Sequence, residues 1–558
     1  MRNIAPRKLR IAVAIAVFTG LTFAFAGFHG PVAKTAGRWL ASTQFVASLQ
    51  ALATGASISA ACILIVIATL LLGRVYCAAI CPLGILQDIV ARFAAFARRR
   101  KAILRYARPL TWIRQGFLWG SVIAILVGWG GVAISLFDPY SNFGRIISVI
   151  FRPIVDAADG AVVKAAQFVG LALSPRVGVP WGGTGVIALP AAVLSLIVVL
   201  SAVRGRLYCN TVCPVGTLLG FFSRWAAFRV TIEKSTCQKC GECLRACKAQ
   251  CIDLRNGTID QSRCVACYDC FGVCDNHSIG YRFAWKRTTR AEVVAIGPSI
   301  ESEKQTAASL AADAQRRTFI AGATVAVMAS LGGAKLFGAN ETSGPGSQAD
   351  RKDKLIRPVC PPGSANMDRF LDRCTACQLC VSACPTNVLQ PAFREYGLSS
   401  LLKPRLDFNR GACDFDCRRC GEVCPSGAIG LLDLAEKQIT RIGVVHFEAT
   451  RCLVQASGKA CTACSDKCPT KAIQTVAFSG GLRLPTTQPL LCIGCGNCEH
   501  VCPTAPVKAI TVIGRRWHNH ARKAAESPGT LPTAVPPDKI LSSGSTLPRR
   551  EPVIMSVS

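Results

Sequence analysis

Two cysteine-rich stretches, CQKCGECLRAC (237–247) and CVACYDCFGVC (264–274), decide how this sequence is interpreted. In each stretch the cysteines are separated by two, two and three residues, which is the spacing of ferredoxins that bind two [4Fe–4S] clusters. The first three cysteines of such a run bind one cluster and the fourth binds the other. The predicted ligand sets are Cys237, Cys240, Cys243 and Cys274 for one cluster, and Cys264, Cys267, Cys270 and Cys247 for the second.

Zinc is the competing interpretation of any single Cys-x2-Cys pair. Two complete runs of four cysteines at this spacing favour iron–sulfur clusters over zinc. Lys248 and Asp275 stand where a proline usually follows the fourth cysteine, which changes the local backbone and charge but not the number of ligands.

Four further cysteine runs lie toward the C-terminus, and all of them end in Cys-Pro, the stronger form of the signature. They are Cys374, Cys377, Cys380 and Cys384; Cys413, Cys417, Cys420 and Cys424; Cys452, Cys461, Cys464 and Cys468; and Cys492, Cys495, Cys498 and Cys502. They predict four more [4Fe–4S] clusters, which makes six in the chain. Two pairings are open: neighbouring runs exchange their fourth ligands, or the first run pairs with the fourth around an inner pair.

Composition excludes several other classes of redox protein. The chain has 558 residues, 31 cysteines, a formal charge of +32, and only 17% charged residues against 51% hydrophobic ones. Soluble domains carry about 25% charged residues. No Cys-x-x-Cys-His occurs, so multihaem c-type chemistry is excluded, and no Gly-x-Gly-x-x-Gly follows a strand, so a bound dinucleotide is not supported. The basic excess together with long apolar runs indicates a membrane rather than nucleic acid.

Four apolar stretches are long enough to predict membrane spans, since a span takes about 20 residues. They are Ile11 to His29, Val46 to Gly73, Gln115 to Phe137 and Gly183 to Val203. The excess of Lys and Arg before the first stretch and after the second predicts a cytoplasmic N-terminus. The loop that opens at Asp138 would then be periplasmic, with a turn at Asp138–Asn142 and an amphipathic helix around Phe151 to Phe168.

A twin arginine, Arg316-Arg317, precedes a moderately apolar stretch that ends at Gly338. This pattern resembles a Tat export signal, and the alternatives are a fifth span or a surface helix. The first two of these three interpretations place the rest of the chain outside the cytoplasm.

An internal repeat joins the predicted spans. GRVYCAAICPLG (73–84) and GRLYCNTVCPVG (205–216) match almost residue for residue, which indicates a duplicated hairpin. We call Cys77, Cys81, Cys209 and Cys213 the repeat cysteines. Four converging thiols would suit a soft metal or a small iron–sulfur centre, and the alternative is that they are small buried apolar residues. Cys62, Cys251 and Cys360 lie outside every motif and are interpreted as structural.

The predicted fold class is an α-helical membrane bundle of four spans and a fifth, joined to α+β ferredoxin-like domains with two and four clusters. The predicted organisation is a membrane domain (1–230), a cytoplasmic two-cluster domain (231–285), a linker (286–315), the twin-arginine segment (316–338), a linker (339–356), a periplasmic four-cluster domain (357–520) and a disordered tail (521–558).

Residues 1–285 resemble the NapH family of polytopic iron–sulfur proteins, through the spans, the Cys-x3-Cys-Pro repeats and the two ferredoxin motifs. Residues 316–520 resemble the Tat-exported NapG and MauM families, which also have a Pro-Pro-Gly segment like that at 361–363. The resemblance implies a fusion of the two types, situated in the bacterial inner membrane. It implies a quinol dehydrogenase that exchanges electrons between membrane quinone and a periplasmic cytochrome, reductase or dehydrogenase.

The alternative function is that of an accessory or assembly protein. NosR- and CcoG-type membrane proteins have the same Cys-x3-Cys-Pro repeats and serve metalloenzyme maturation and copper reduction. The four additional predicted clusters favour electron transfer, because proteins that serve maturation or copper reduction do not need them.

Overall fold

The computed structural model describes residues 5–27, 31–53, 60–97, 106–127, 130–169, 184–283, 357–397 and 400–522. The predicted twin-arginine segment at 316–338, both linkers and the tail beyond residue 522 lie outside these ranges. Within them the chain forms a helical N-terminal part and two cysteine-rich domains. We call these the two-motif domain (228–283) and the four-motif domain (357–522).

The described residues of the N-terminal part are mainly helical. Its helices are Ala5–Phe25, Pro31–Ser42, Phe45–Ala53, Ala60–Leu72, Val75–Ala79, Pro82–Ala97, Thr111–Leu126, Gly130–Phe137, Pro139–Arg145, Ile146–Phe151 (a π-helix), Arg152–Phe168, Thr184–Arg204, Leu207–Thr211, Pro214–Phe222 and Ser223–Trp225 (a 3₁₀-helix). We call Ala5–Phe25 the first long helix and Thr184–Arg204 the second long helix.

The prediction of a four-span membrane bundle is wrong. In the described part of the chain, two helices are long and apolar enough to cross a membrane, Pro6–Phe25 and Gly185–Arg204. They correspond to the first and fourth predicted spans.

The described residues of the two other predicted spans form shorter helices. In the second span they are Phe45–Ala53 and Ala60–Leu72, and the longer of these has 13 residues, or about 20 Å at 1.5 Å per residue. In the third span they are Thr111–Leu126 and Gly130–Phe137. A hydrocarbon core is about 30 Å thick, so none of these helices is long enough to cross it alone.

The segment after residue 137 also differs from the predicted turn. Asp138 caps the helix Pro139–Arg145, and its carboxylate accepts hydrogen bonds from the N–H groups of Tyr140 (3.3 Å) and Ser141 (2.9 Å). Asp before a proline at the first helical position is a helix start signal as well as a turn signal. The predicted helix around Phe151 to Phe168 is confirmed as Arg152–Phe168.

The two-motif domain has small antiparallel sheets around its cysteine loops. Strand Phe228–Ile232 pairs with Ile279–Phe283, so the first and last strands of the domain close it, and Ile252–Asp253 pairs with Thr258–Ile259. The helix Glu242–Ala246 and the 3₁₀-helix Asp269–Val273 each end at the fourth cysteine of a run.

The four-motif domain repeats this construction twice. Strands Leu389–Pro391 and Pro404–Leu406 pair between the first two cysteine runs. Strand Thr440–Phe447 pairs with Ile510–His520, and Ile473–Ala477 pairs with Arg483–Thr487. Its helices are Met367–Arg373, Leu379–Ala383, Arg419–Val423, Leu434–Ile439, Ala449–Arg451, Leu453–Ser457, Ala463–Asp466, Ser479–Gly481 and Asn497–Val501.

The first long helix connects the two cysteine-rich domains. Near its beginning, Arg7 binds Asp269 of the two-motif domain at 3.1 Å. At its end, the carbonyl of Phe25 accepts a hydrogen bond from the Ser382 hydroxyl of the four-motif domain at 2.8 Å. A helix of 21 residues is about 30 Å long, so the domains lie at opposite ends of the helical part.

The second long helix makes the same connection in the opposite direction. Val186, near its beginning, packs with Ala376 and Leu402 of the four-motif domain. Just beyond its end, the N–H of Arg206 donates to the carbonyl of Lys248 in the two-motif domain at 3.1 Å. Both candidate membrane helices therefore extend from one cysteine-rich domain to the other.

Candidate iron–sulfur sites

The two-motif domain brings its cysteines together in two sets. One cavity of about 360 Å³ is lined by Cys247, Cys264, Cys267 and Cys270, and by Cys251 as well. Around the second set, burial and the nearby thiols of Cys240, Cys237 and Cys274 together raise the pKa of Cys243 to about 11. In both sets the fourth cysteine of one run joins the first three of the other. Thiols arranged around a cavity fit a [4Fe–4S] cluster, which takes four cysteine ligands.

The four-motif domain resolves the pairing that the sequence leaves open. Three cavities of about 370, 350 and 300 Å³ are lined by Cys384, Cys413, Cys417 and Cys420; by Cys452, Cys461, Cys464 and Cys502; and by Cys468, Cys492, Cys495 and Cys498. Cys424 lies close enough to Cys374, Cys377 and Cys380 to affect the pKa of each. Adjacent runs therefore exchange their fourth cysteines, and the first run does not pair with the fourth.

The cysteine loops share an unusual backbone conformation. The residue before the second cysteine has a positive φ in four of the six runs, and so has the residue after it. These residues are Lys239, Ala266, Ala376 and Gly494, followed by Gly241, Tyr268, Gln378 and Gly496. A left-handed conformation is costly for residues other than glycine and concentrates at functional sites. Its recurrence at equivalent positions shows that the loops are shaped to surround a common group.

Cys251 lies at the second cluster site of the two-motif domain, where sequence analysis did not place it. It is 2% exposed, and its Sγ is 3.6 Å from the Sγ of Cys247. It also forms a side-chain hydrogen bond with Cys264. The signal in the sequence is its position four residues after the last cysteine of a run, and the structure reverses the chain between the two cysteines at Gln250 (φ 52°). Cys360, by contrast, lies 3.4 Å from the Tyr396 hydroxyl, in keeping with a structural role.

Lys248 replaces the usual proline and joins two buried carboxylates. Its Nζ lies 3.2 Å from Asp88 Oδ2 and 2.8 Å from Asp269 Oδ2. Arg10 contacts the same two carboxylates at 3.5 and 3.7 Å. The lysine at this position therefore attaches the two-motif domain to the helical part.

The two repeats contact one another in a reciprocal, roughly two-fold symmetric way. Arg74 of the first repeat donates to Asn210 Oδ1 at 2.9 Å and to the carbonyl of Cys209 at 3.4 Å. Arg206 of the second donates to the carbonyl of Cys77 at 2.6 Å. The matching arginines therefore each bind the cysteine loop of the other repeat.

A glycine in each repeat permits the close approach of these loops. A Cβ on Gly84 would lie 2.4 Å from the carbonyl oxygen of Cys77, and one on Gly216 would lie 2.3 Å from that of Cys209. No side chain fits at either position, so the glycines after the two Cys-Pro pairs have the same structural role.

The four repeat cysteines are each 3–4% exposed and lie in one core cluster. Polar groups donate to three of the sulfurs: Arg74 Nη2 to Cys77 (3.8 Å), Gln87 Nε2 to Cys209 (3.1 Å) and the Gly216 N–H to Cys213 (3.3 Å). Burial raises the pKa of the Cys209 thiol to about 11 and raises those of Cys81 and Cys213 as well.

No three His, Cys, Asp or Glu side chains in the described ranges converge closely enough to hold a single metal ion. The same holds for the cysteines of the six runs, which are spaced around cavities.

Aromatic and charged residues connect the repeats to the four-motif domain. Burial raises the pKa of Tyr76 and Tyr208, which precede the first cysteine of each repeat, and the nearby Asp138 carboxylate contributes to both shifts. Arg145, seven residues further along, donates to the carbonyls of Ala376 (3.0 Å) and Thr375 (3.2 Å) between the first two cysteines of that domain.

Comparison with protein families assigns iron–sulfur character to four regions. A family described as a 4Fe-4S binding domain matches residues 54–102 and 186–233, which contain the two repeats. Families described as 4Fe-4S dicluster domains match residues 373–428 and 459–507, which contain the first pair of runs in the four-motif domain and all of the second pair except Cys452. No solved structure matches the chain.

Several ferredoxin-type proteins are similar to part of the chain. NapF of Escherichia coli is 29% identical over 156 residues, which cover 28% of this chain and 87% of NapF. NapG of the same organism is 33% identical over 157 residues, covering 25% of this chain and 64% of NapG. MauM of Methylorubrum extorquens, a methylamine utilization protein, is 31% identical over 163 residues, covering 28% of this chain and 72% of MauM. The chain therefore belongs to the ferredoxin-type 4Fe–4S electron-transfer proteins that include MauM.

Proposed function

We propose that this protein oxidises quinol in the bacterial inner membrane and passes the electrons through six [4Fe–4S] clusters to a periplasmic redox partner. The observation that carries the proposal is that both candidate membrane helices connect the two-motif domain to the four-motif domain. An apolar helix of this length matches the thickness of a hydrocarbon core. The two domains would then lie on opposite faces of the membrane.

The charge distribution supports a cytoplasmic two-motif domain. Arg7 and Arg10 lie at the end of the first long helix that contacts this domain, and Arg204 lies at the corresponding end of the second. Excess positive charge near the ends of membrane helices marks the cytoplasmic side. The four-motif domain would be periplasmic, as in a fusion of a NapH-type and a NapG-type protein.

The cysteine sets brought together in the structure would be the cluster ligands. They are Cys237, Cys240, Cys243 and Cys274; Cys247, Cys264, Cys267 and Cys270; Cys374, Cys377, Cys380 and Cys424; Cys384, Cys413, Cys417 and Cys420; Cys452, Cys461, Cys464 and Cys502; and Cys468, Cys492, Cys495 and Cys498. Clusters of this type accept and release single electrons. Oxidation of one quinol releases two electrons and two protons, so two one-electron acceptors are needed for each turnover. The cysteine sets that would bind these clusters lie close together within each domain.

Anaerobic titration of the purified protein with menaquinol tests this proposal. The protein, kept in detergent with its clusters intact, should lose cluster absorbance and develop EPR signals of reduced clusters as menaquinol is added. Dithionite provides the reference for complete reduction. Clusters that dithionite reduces and menaquinol leaves oxidised at every concentration would contradict the proposal.

A further inference from the structure

The four repeat cysteines form a symmetric set with no role in the six cluster sites. Each repeat contributes two buried thiols, and the interlocked arginines hold the two loops against one another. Polar groups are directed at the sulfur atoms rather than away from them. The Gly216 N–H faces Cys213 because Cys213 caps the helix Pro214–Phe222, but packing does not require the Arg74 and Gln87 side chains to donate to sulfur, because an apolar core needs no donors. Hydrogen bonds to sulfur are a common feature of cysteine ligands in iron–sulfur sites.

A buried guanidinium, that of Arg74, lies beside these thiols, and no carboxylate among the described residues pairs with it. Arg74 is 0% exposed and donates hydrogen bonds to four neutral acceptors, which are Asn210 Oδ1, the carbonyls of Ser262 and Cys209, and the Sγ of Cys77. Within the described part of the chain, Arg74 Nε and Gln87 Oε1 are buried without a hydrogen-bond partner. A buried charge is costly unless it is paired, so this guanidinium indicates a neighbouring anion.

The surrounding ion pairs do not supply that anion. Asp88 and Asp269 are already shared by four cations, which are Arg7, Arg10, Lys248 and Arg206. Positive charge therefore exceeds negative charge where the repeats meet the two-motif domain. An iron–sulfur cluster bound by four thiolates carries a net negative charge and would balance it.

The repeat cysteines also lie between the two cysteine-rich domains. On one side, Arg74 donates to the carbonyl of Ser262, two residues before Cys264, at 3.0 Å. On the other side, a single contiguous core contains the repeat cysteines, Tyr140 and the first cysteine run of the four-motif domain. A helical part about 30 Å long is too thick for one efficient electron transfer between the domains.

We propose that Cys77, Cys81, Cys209 and Cys213 bind a polynuclear iron–sulfur cluster, through which the two domains exchange electrons. The inference rests on the proposed electron-transfer function and extends it by a seventh centre. One electron enters from one domain and one leaves to the other, with no proton transferred and no covalent bond made or broken. Four cysteine ligands accommodate either a [2Fe–2S] or a [4Fe–4S] cluster.

Iron and sulfide analysis of the anaerobically purified full chain tests the proposal. Six clusters contain about 24 irons, and a seventh adds about 2 or about 4 according to its type. The Cys209→Ser variant should lose that excess and an EPR signal of the reduced wild-type protein, while the other signals remain. Cys62→Ser, which replaces a buried cysteine outside all of the motifs, is the matched control and should keep both.

The wild-type count decides the outcome even if Cys209→Ser does not fold. About 24 irons per chain, with no additional signal, would overturn the seventh centre. If menaquinol still reduced the six clusters of such a protein, the proposed function would stand and only this inference would fail. Iron above about 24 that persists in folded Cys209→Ser would place the excess elsewhere and would also overturn it.

Discussion

The guanidinium of Arg206, in the second repeat, binds both carboxylate oxygens of Asp88, which follows the first repeat, at 2.8 Å each. Arg206 is 1% exposed and Asp88 is 7% exposed, so the pair is almost completely removed from water. Lys248 of the two-motif domain binds the same carboxylate. This pair therefore joins both repeats to the two-motif domain.

Replacing Asp88 with Asn should be strongly destabilising. Removing one partner of a buried ion pair leaves the other charge uncompensated, which costs about 3–5 kcal/mol. The apparent Tm of the detergent-solubilised protein measures the effect. Glu242→Gln is the control, since its pair with Arg245 is about half exposed and such pairs contribute about 1 kcal/mol or less.

The same pair gives a pH dependence. Burial alone would raise the pKa of Asp88, but Arg206 and Lys248 outweigh it and hold the pKa well below its usual range. A lowered pKa in the folded state contributes stability that is fully present above the unfolded value of about 3.9 and is lost as the pH falls through the folded value. The difference in Tm between wild type and Asp88→Asn should therefore stay constant from pH 8 to pH 5. A difference that shrinks over that range would contradict this assignment.

Exchange of fourth ligands predicts which cluster each cysteine affects. Cys384 lies with Cys413, Cys417 and Cys420, not with the other cysteines of its own run. The EPR spectrum of reduced Cys384→Ser should therefore match that of Cys417→Ser and differ from that of Cys377→Ser. The reverse result would show that each run binds its own cluster.

Cys251 should adjust the reduction potential of the cluster at Cys247, Cys264, Cys267 and Cys270. A thiol that donates a hydrogen bond to a ligand sulfur stabilises the more negative, reduced cluster. Cys251→Ala should make that potential more negative, on the order of tens of millivolts, where about 59 mV corresponds to a tenfold change in equilibrium constant. Redox titration followed by EPR measures the shift, and Cys360→Ala should leave this potential unchanged. An unaltered potential in Cys251→Ala would show that this thiol only fills space.

The glycines after the Cys-Pro pairs should not tolerate a side chain. The Cβ of Gly216→Ala would lie 2.3 Å from a backbone oxygen, and relief of such a clash in a packed core costs about 1–3 kcal/mol. Gly120→Ala is the matched control, because it lies in a helix with nothing within 4 Å of the added atom. Comparison of the two Tm values tests the point: the control should equal or exceed wild type, because Ala favours a helix. Equal losses in the two variants would argue against the close approach.

Local signals in the sequence account for much of this architecture. Cysteine spacing is sufficient to identify the motifs, because each loop must place three sulfurs around one cluster within a few residues. The internal repeat likewise reveals the matching loops, since Arg74 and Arg206 occupy equivalent positions. These features depend on residues that are close together in sequence.

Features that depend on distant contacts were not predictable in the same way. The partner of Cys384 among several equally spaced runs depends on how the chain folds back between them. The proximity of Cys251 to Cys247 requires a chain reversal at Gln250. The number of membrane helices was overestimated for the described part of the chain, because hydropathy records how apolar a stretch is and not where its helix begins and ends.

Reduction of the protein in sealed liposomes tests the central claim, that electrons travel between the two domains through the helical part. Dithionite added outside does not cross the bilayer, so it reaches one domain of each molecule directly. The account predicts that the absorbance of all clusters is bleached. If bleaching stops at the fraction that belongs to the outward-facing domain, about one third or two thirds of the total, the claim is contradicted.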